Sequence, residues 1–135
     1  MTLLEEIKAK CPADVLASHD TQAIATAVST GRVRVISVLG GIGTVMEALG
    51  PTAGAALLDS LTTLATTNSA VKWGMVLINR GDFDFGSVAG RGMIDALVTD
   101  KTQASALKAV AEIADPITAQ DVRLVCQDYD GNWVV

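Results

Sequence analysis

Aromatic side chains are scarce in this chain: two Phe, two Trp and one Tyr among 135 residues. A core with so few large rings must be filled by Ala, Leu, Val and Ile, and small aliphatic side chains suit closely packed helices. Histidine is rarer still, with His19 alone, and the two cysteines, Cys11 and Cys126, stand far apart. One imidazole and two distant thiols match no metal-ligand spacing, so no zinc or other metal site is expected. The thiols could pair across the fold; free thiols in a reducing cytosol are the expectation. Basic residues are outnumbered, ten Lys and Arg against fifteen Asp and Glu, giving a net charge of −5. That balance argues against nucleic acid and anionic membrane as partners, because both need clustered cations and the chain offers only Arg32 and Arg34. No apolar run reaches the roughly 18 residues that a membrane span requires. Glu5 and Glu6 interrupt the N-terminus, so no signal peptide is expected and the protein reads as soluble.

What is present points to one packed domain over residues 1–135. Half of the residues are hydrophobic and 19% are charged, which excludes disorder along the whole length. The apolar share exceeds what a monomer of this size needs, so part of it is expected to be covered by a partner. The organising stretch runs from Pro51 to Ile78 and reads as two helices back to back. Pro51 suits a first helical position, and Leu57, Leu58, Leu61, Leu64 and Ala65 then recur at helical spacing. Thr66-Thr67-Asn68-Ser69 breaks the stripe and caps a second helix, lined by Val71, Met75 and Ile78 with Trp73 and Leu77 beside them.

Before this hairpin, Thr2 and Glu5 make a capping pair for a first helix ending near Pro12. Residues 13–18 read as another turn of helix. Asp20 caps a third, which Gly31 closes. Residues 32–39 alternate and are β-branched, so they favour an extended segment, to be paired with 132–135 or with another subunit. Gly40, Gly41 and Gly43 link it to a short helix over 44–49. After the hairpin, Ser87 caps a helix carrying Met93, Ile94 and Leu97. The next helix, begun by Asp100 or Thr102, carries Leu107, Val110, Ala111 and Ala114 up to Pro116. Thr118 caps the last helix, and residues 127–135 leave as a C-terminal arm. The expected fold is all-α, about six or seven short helices with at most one small strand pair, 33–38 with 132–135.

No catalytic residue is expected. The Gly40–Gly43 link lies between a strand-like segment and a helix, where backbone N–H groups could cradle an anion. It lacks the Lys-Ser/Thr of a P-loop and the full dinucleotide spacing, so a hinge or a tight helix approach is the expectation and no cofactor is assigned. His19 beside the capping Asp20 reads as a surface histidine. Asp82 and Asp84 read as the solvated edge of a loop, and Arg80-Gly81-Asp82 is too short to count as a motif. That loop carries Phe83 and Phe85, which either dock into a neighbour as anchors or fold back onto the helices. The arm, with Tyr129, Trp133, Val134 and Val135, either adds a strand to a partner's sheet or pairs internally with 33–38; the internal pairing is favoured slightly.

The opening Met1-Thr2-Leu3-Leu4-Glu5-Glu6-Ile7-Lys8-Ala9-Lys10-Cys11, the Ala17-Ser18-His19-Asp20 turn, the Gly31-Arg32 close and Gly43-Thr44 leading to residues 53–59 resemble small proteins of the structural gene modules of tailed bacteriophages. Thr102-Gln103-Ala104, Leu107-Lys108-Ala109 and Ala114-Asp115-Pro116 are similar too. The chain departs from that pattern at 32–39 and in its final tail. The resemblance implies a non-enzymatic structural protein of a virion, made in the host cytoplasm and present in many copies. It is expected to bind capsid or tail proteins and copies of itself, and the aromatic loop and apolar tail themselves, not the resemblance, mark Phe83, Phe85, Tyr129, Trp133, Val134 and Val135 as the expected contact residues. Two alternatives stay open: a nucleotide- or small-ligand-binding enzyme using the glycine link, and a soluble phage assembly chaperone or regulator.

Overall fold

The computed structural model describes residues 2–135. Two separate apolar cores divide the chain into two compact units, residues 1–34 with 114–135, and residues 35–113. No linker or composition shift marks the division, because the first unit is built from the two ends of the chain.

The first unit opens with α1 (Leu3–Lys10), whose capping box joins Thr2 and Glu5. The Cys11-Pro12 break then separates it from α2 (Ala13–Ala17). Asp20 caps α3 (Thr21–Ser29) through the amides of Gln22 and Ala23. Thr118 caps α9 (Ala119–Cys126) with Asp121 as its reciprocal partner. The core contains Ile7, Ile24, Val28, Ile117, Val122 and Cys126. Arg32 ties the early and late segments together. Its guanidinium reaches Glu6 Oε1 at 3.1 Å and Asp115 Oδ2 at 2.7 Å, while the Asp115 amide donates to the Arg32 carbonyl at 3.0 Å.

The second unit contains β2 (Leu39–Gly40), α4 (Ile42–Leu49), α5 (Pro51–Leu64), α6 (Ser69–Arg80), β3 (Phe83–Asp84), α7 (Val88–Leu97) and α8 (Lys101–Ala109). β2 and β3 pair antiparallel, Leu39 opposite Asp84 and Gly40 opposite Phe83. Asn68, Ser87 and Asp100 cap α6, α7 and α8 as their side chains accept first-turn amides. Pro51 opens α5 after Gly50, whose φ of +85° suits a residue without Cβ. The core gathers Val45, Ile78, Phe83, Phe85, Ile94 and Leu107.

Nine helices are present among the described residues, where six or seven were expected. Some breaks are only one or two residues long, as at Cys11-Pro12 and Gly50. The class, mostly helical with little sheet, is as expected.

The strand pairing differs. The segment β1 (Val33–Val35) pairs with β4 (Glu112–Ala114), not with 132–135. Residues 112–114 had read as the end of a helix, since Leu107, Val110, Ala111 and Ala114 keep its period. Instead α8 stops at Ala109, where Arg91 donates to the Lys108 carbonyl at 3.1 Å and to Glu112 Oε1 at 2.8 Å. That guanidinium satisfies a helix-end carbonyl and holds the following chain extended, where it meets the otherwise unpaired backbone of β1.

The 51–78 hairpin is less central than its pattern suggested. The only fully buried residue of α5 is Gly54, and Leu57, Leu58 and Leu61 are half-buried.

Candidate functional site

The loop after α6 forms by a helix stop. Gly81 adopts φ +74°, and the Asp82 amide returns to the Leu77 carbonyl at 2.9 Å. This reversal turns Phe83 and Phe85 inward, 7% and 1% exposed, with ring centroids 5.1 Å apart in an edge-to-face pair. Of the two readings of these residues, the structure has the second: they fold back onto the helices as core residues of the second unit. Burying two rings outweighs presenting them to water, and the chain holds only five aromatics.

Asp84, between them, is the polar hub of the loop. Its carboxylate accepts from Ser37 Oγ at 2.8 Å, from the Gly86 amide at 2.9 Å and from the Val38 amide at 3.2 Å. These bonds, the Ser37 hydroxyl's first among them, hold the carboxyl below its ordinary range. Gly86 completes the closure: a Cβ there would fall on the Ile36 carbonyl oxygen.

The glycine link serves packing as well. The Gly41 amide donates to Thr44 Oγ1 at 3.1 Å, and a Cβ on Gly41 would lie 2.5 Å from the Ile78 carbonyl oxygen. The link is thus backed against the last turn of α6, a close approach that only glycine permits.

The arm folds onto its own unit. Gln127 and Trp133 form an antiparallel bridge, the Val134 amide donates to the Cys126 carbonyl at 2.8 Å, and Gly131 makes the turn at φ +82°. The Trp133 ring stacks on His19, centroids 4.3 Å apart and planes 4° from parallel. His19 Nε2 lies 3.2 Å from the Val135 carbonyl oxygen. Trp133 and Val135 pack against the first core, while Tyr129 is fully exposed and Val134 half-exposed. Internal pairing thus prevails, but with the end of α9 and not with 33–38. Cys11 and Cys126 are buried and unbonded, and burial pushes both thiols up. Among the described residues no three His, Cys, Asp or Glu side chains converge on a metal position. No described helix is long and apolar enough to cross a membrane.

Two features of the second unit stand out as sites. On the surface, Trp73 and Leu77 are 62% and 42% exposed, four residues apart on one face of α6. The contact of Gly41 with the last turn of α6 brings Leu39 and Ile42, 61% and 46% exposed, to the end of the same helix. Trp73 and Leu77 make an exposed apolar face of α6, with Lys72 Nζ 5.1 Å from the centre of the Trp73 ring. Its signal in the sequence is the offset of Trp73 and Leu77 from the buried Val71, Gly74 and Ile78. Beneath the half-buried leucines of α5 lies a cavity of about 50 Å³ with an almost wholly apolar lining. Nothing in the sequence signals it, because a void records side chains that fail to meet. No protein-family model matches the chain, and searches of curated proteins and of solved structures return no match either.

Proposed function

We propose that this chain is a non-enzymatic structural protein of a phage virion, present in many copies and fastened to capsid or tail proteins and to its own copies. The observation that carries the reading is the exposure of Trp73 and Leu77 on one face of α6. A solvent-facing tryptophan one helical turn from an exposed leucine is the composition of an interface anchor. The sequence resemblance supplies the setting, and repetition supplies the strength, since many weak contacts in a symmetric particle add up. With Phe83 and Phe85 in the core, the contact residues are Trp73 and Leu77, together with Tyr129 and Val134 on the outer side of the arm.

Sedimentation of the purified chain over a range of concentrations, with and without purified capsid or tail proteins, tests this reading. Wild-type protein is expected to associate and Trp73→Glu to remain apart, with the same far-UV circular dichroism, because the exposed ring contributes little to the core. A wild-type chain that stays monomeric, leaves those proteins untouched and is missing from purified particles by mass spectrometry would sink the proposal. Association with assembly intermediates alone, without presence in finished particles, would mark an assembly chaperone instead.

A further inference from the structure

From the cavity of the second unit we infer a binding site for the end of an unbranched alkyl chain. It is a site distinct from the exposed face of α6 and independent of the particle role. Its floor is formed by Val45, Ile78, Phe85, Ile94 and Leu107, all buried, and its rim by half-buried side chains of α5, α6 and α7, among them Leu58, Leu61, Met75 and Leu97. The expected leucine stripe of α5 points here and leaves the space unfilled.

The chemistry of the occupant follows from the lining. A buried water needs two to four polar partners, and this wall offers almost none, so water is a poor tenant. A polar or charged group would lose its hydration without a compensating hydrogen bond. An apolar group loses nothing and gains the dispersion contacts that the empty space withholds from the wall. Size narrows the choice further. A cavity of about 150 Å³ accommodates benzene, and this one, at about 50 Å³, is a third of that. A narrow chain end of about two or three carbons fits that ratio, where an aromatic ring does not. Met75 and Met93 supply the give that a chain of uncertain length requires, being unbranched and polarisable. No polar side chain lines the cavity to hold a headgroup. The site therefore reads the chain, and the headgroup stays in water.

Titration of the full chain with 1-alkanols from methanol to octanol, followed through the Met75 and Met93 methyl resonances, tests the site. Saturable shifts are expected, with affinity rising about fourfold per methylene up to about three carbons and levelling off for longer chains. Hexanoate and 1-hexanol should bind alike. Gly74→Ala places a methyl on the cavity wall 2.7 Å from the Met93 terminal carbon, a flexible end that can move aside. That variant should keep its fold and lose most of the binding, and Leu61→Phe at the rim should do the same. Shifts that do not saturate, affinity indifferent to chain length, or undiminished binding in a folded Gly74→Ala or Leu61→Phe protein would each overturn the site. A strong preference for hexanoate would overturn it too.

Discussion

At the scale of single residues, Asp84 decides how the second unit closes. Its carboxylate is the shared acceptor for one hydroxyl and two amides, and all three bonds weaken when it takes up a proton. The sign of the pH effect follows directly. Asp84 titrates lower in the folded chain than in the unfolded one, so its contribution is complete above the unfolded value. It is lost as pH falls through the folded one. Acid unfolding should accordingly begin at higher pH, and Tm at neutral pH should drop, in Asp84→Asn than in wild type. Thermal melts between neutral pH and pH 3 would measure both. The sequence shows Asp84 as one carboxylate between two phenylalanines, and that alternation was read as a solvated edge. Its partners Ser37 and Val38 lie 47 and 46 positions away, and only the pairing of β2 with β3 brings them near.

At the scale of elements, local chemistry was legible and long-range pairing was not. The caps at Thr2, Asp20, Ser87 and Thr118 fall where short-range patterns put them, Asn68 lies within the expected run 66–69, and Asp100 is one of the two expected starts, because a cap is settled within three residues. The partner of β1 was missed, since residues 112–114 keep a helical period that the Arg91 contacts override. The patch on α6 was visible only as two apolar residues off the main stripe, and the cavity was not visible at all. The C-terminal arm is the element most open to test. His19 holds a left-handed backbone, φ +56°, a conformation costly for a residue with a side chain, and its ring stacks on Trp133. Replacing His19 with Ala removes the stack and the contact to Val135. Stability should fall by about 1 kcal/mol, and the amides of Asn132 and Val134 should exchange hydrogen faster. Tryptophan emission should also shift towards the red. Unchanged exchange at those amides would show that the arm is held without His19.

At the scale of the whole molecule, the chain divides into two compact units. Each unit has its own buried core. Each is also closed at the point where the chain leaves it: Arg32 and Asp115 bond in the first, and the Ile36 amide donates to the Ala111 carbonyl at 2.8 Å in the second. Composition does not reveal this, because the first unit is discontinuous in sequence. A fragment of residues 35–113 should fold alone, with helical circular dichroism and a single cooperative denaturant transition. A fragment without such a transition would show the division to be one of contacts only.

The same discontinuity orders events on the ribosome. Residues 1–34 emerge first, yet the residues that complete their core follow only after 35–113 have been made. At roughly 5 to 20 residues per second, that delay lasts several seconds, far longer than a small helical unit needs to form. The inserted unit should thus be finished while Ile24 and Val28 still wait for Val122, and a nascent chain arrested before residue 114 would carry those residues bare to any chaperone nearby.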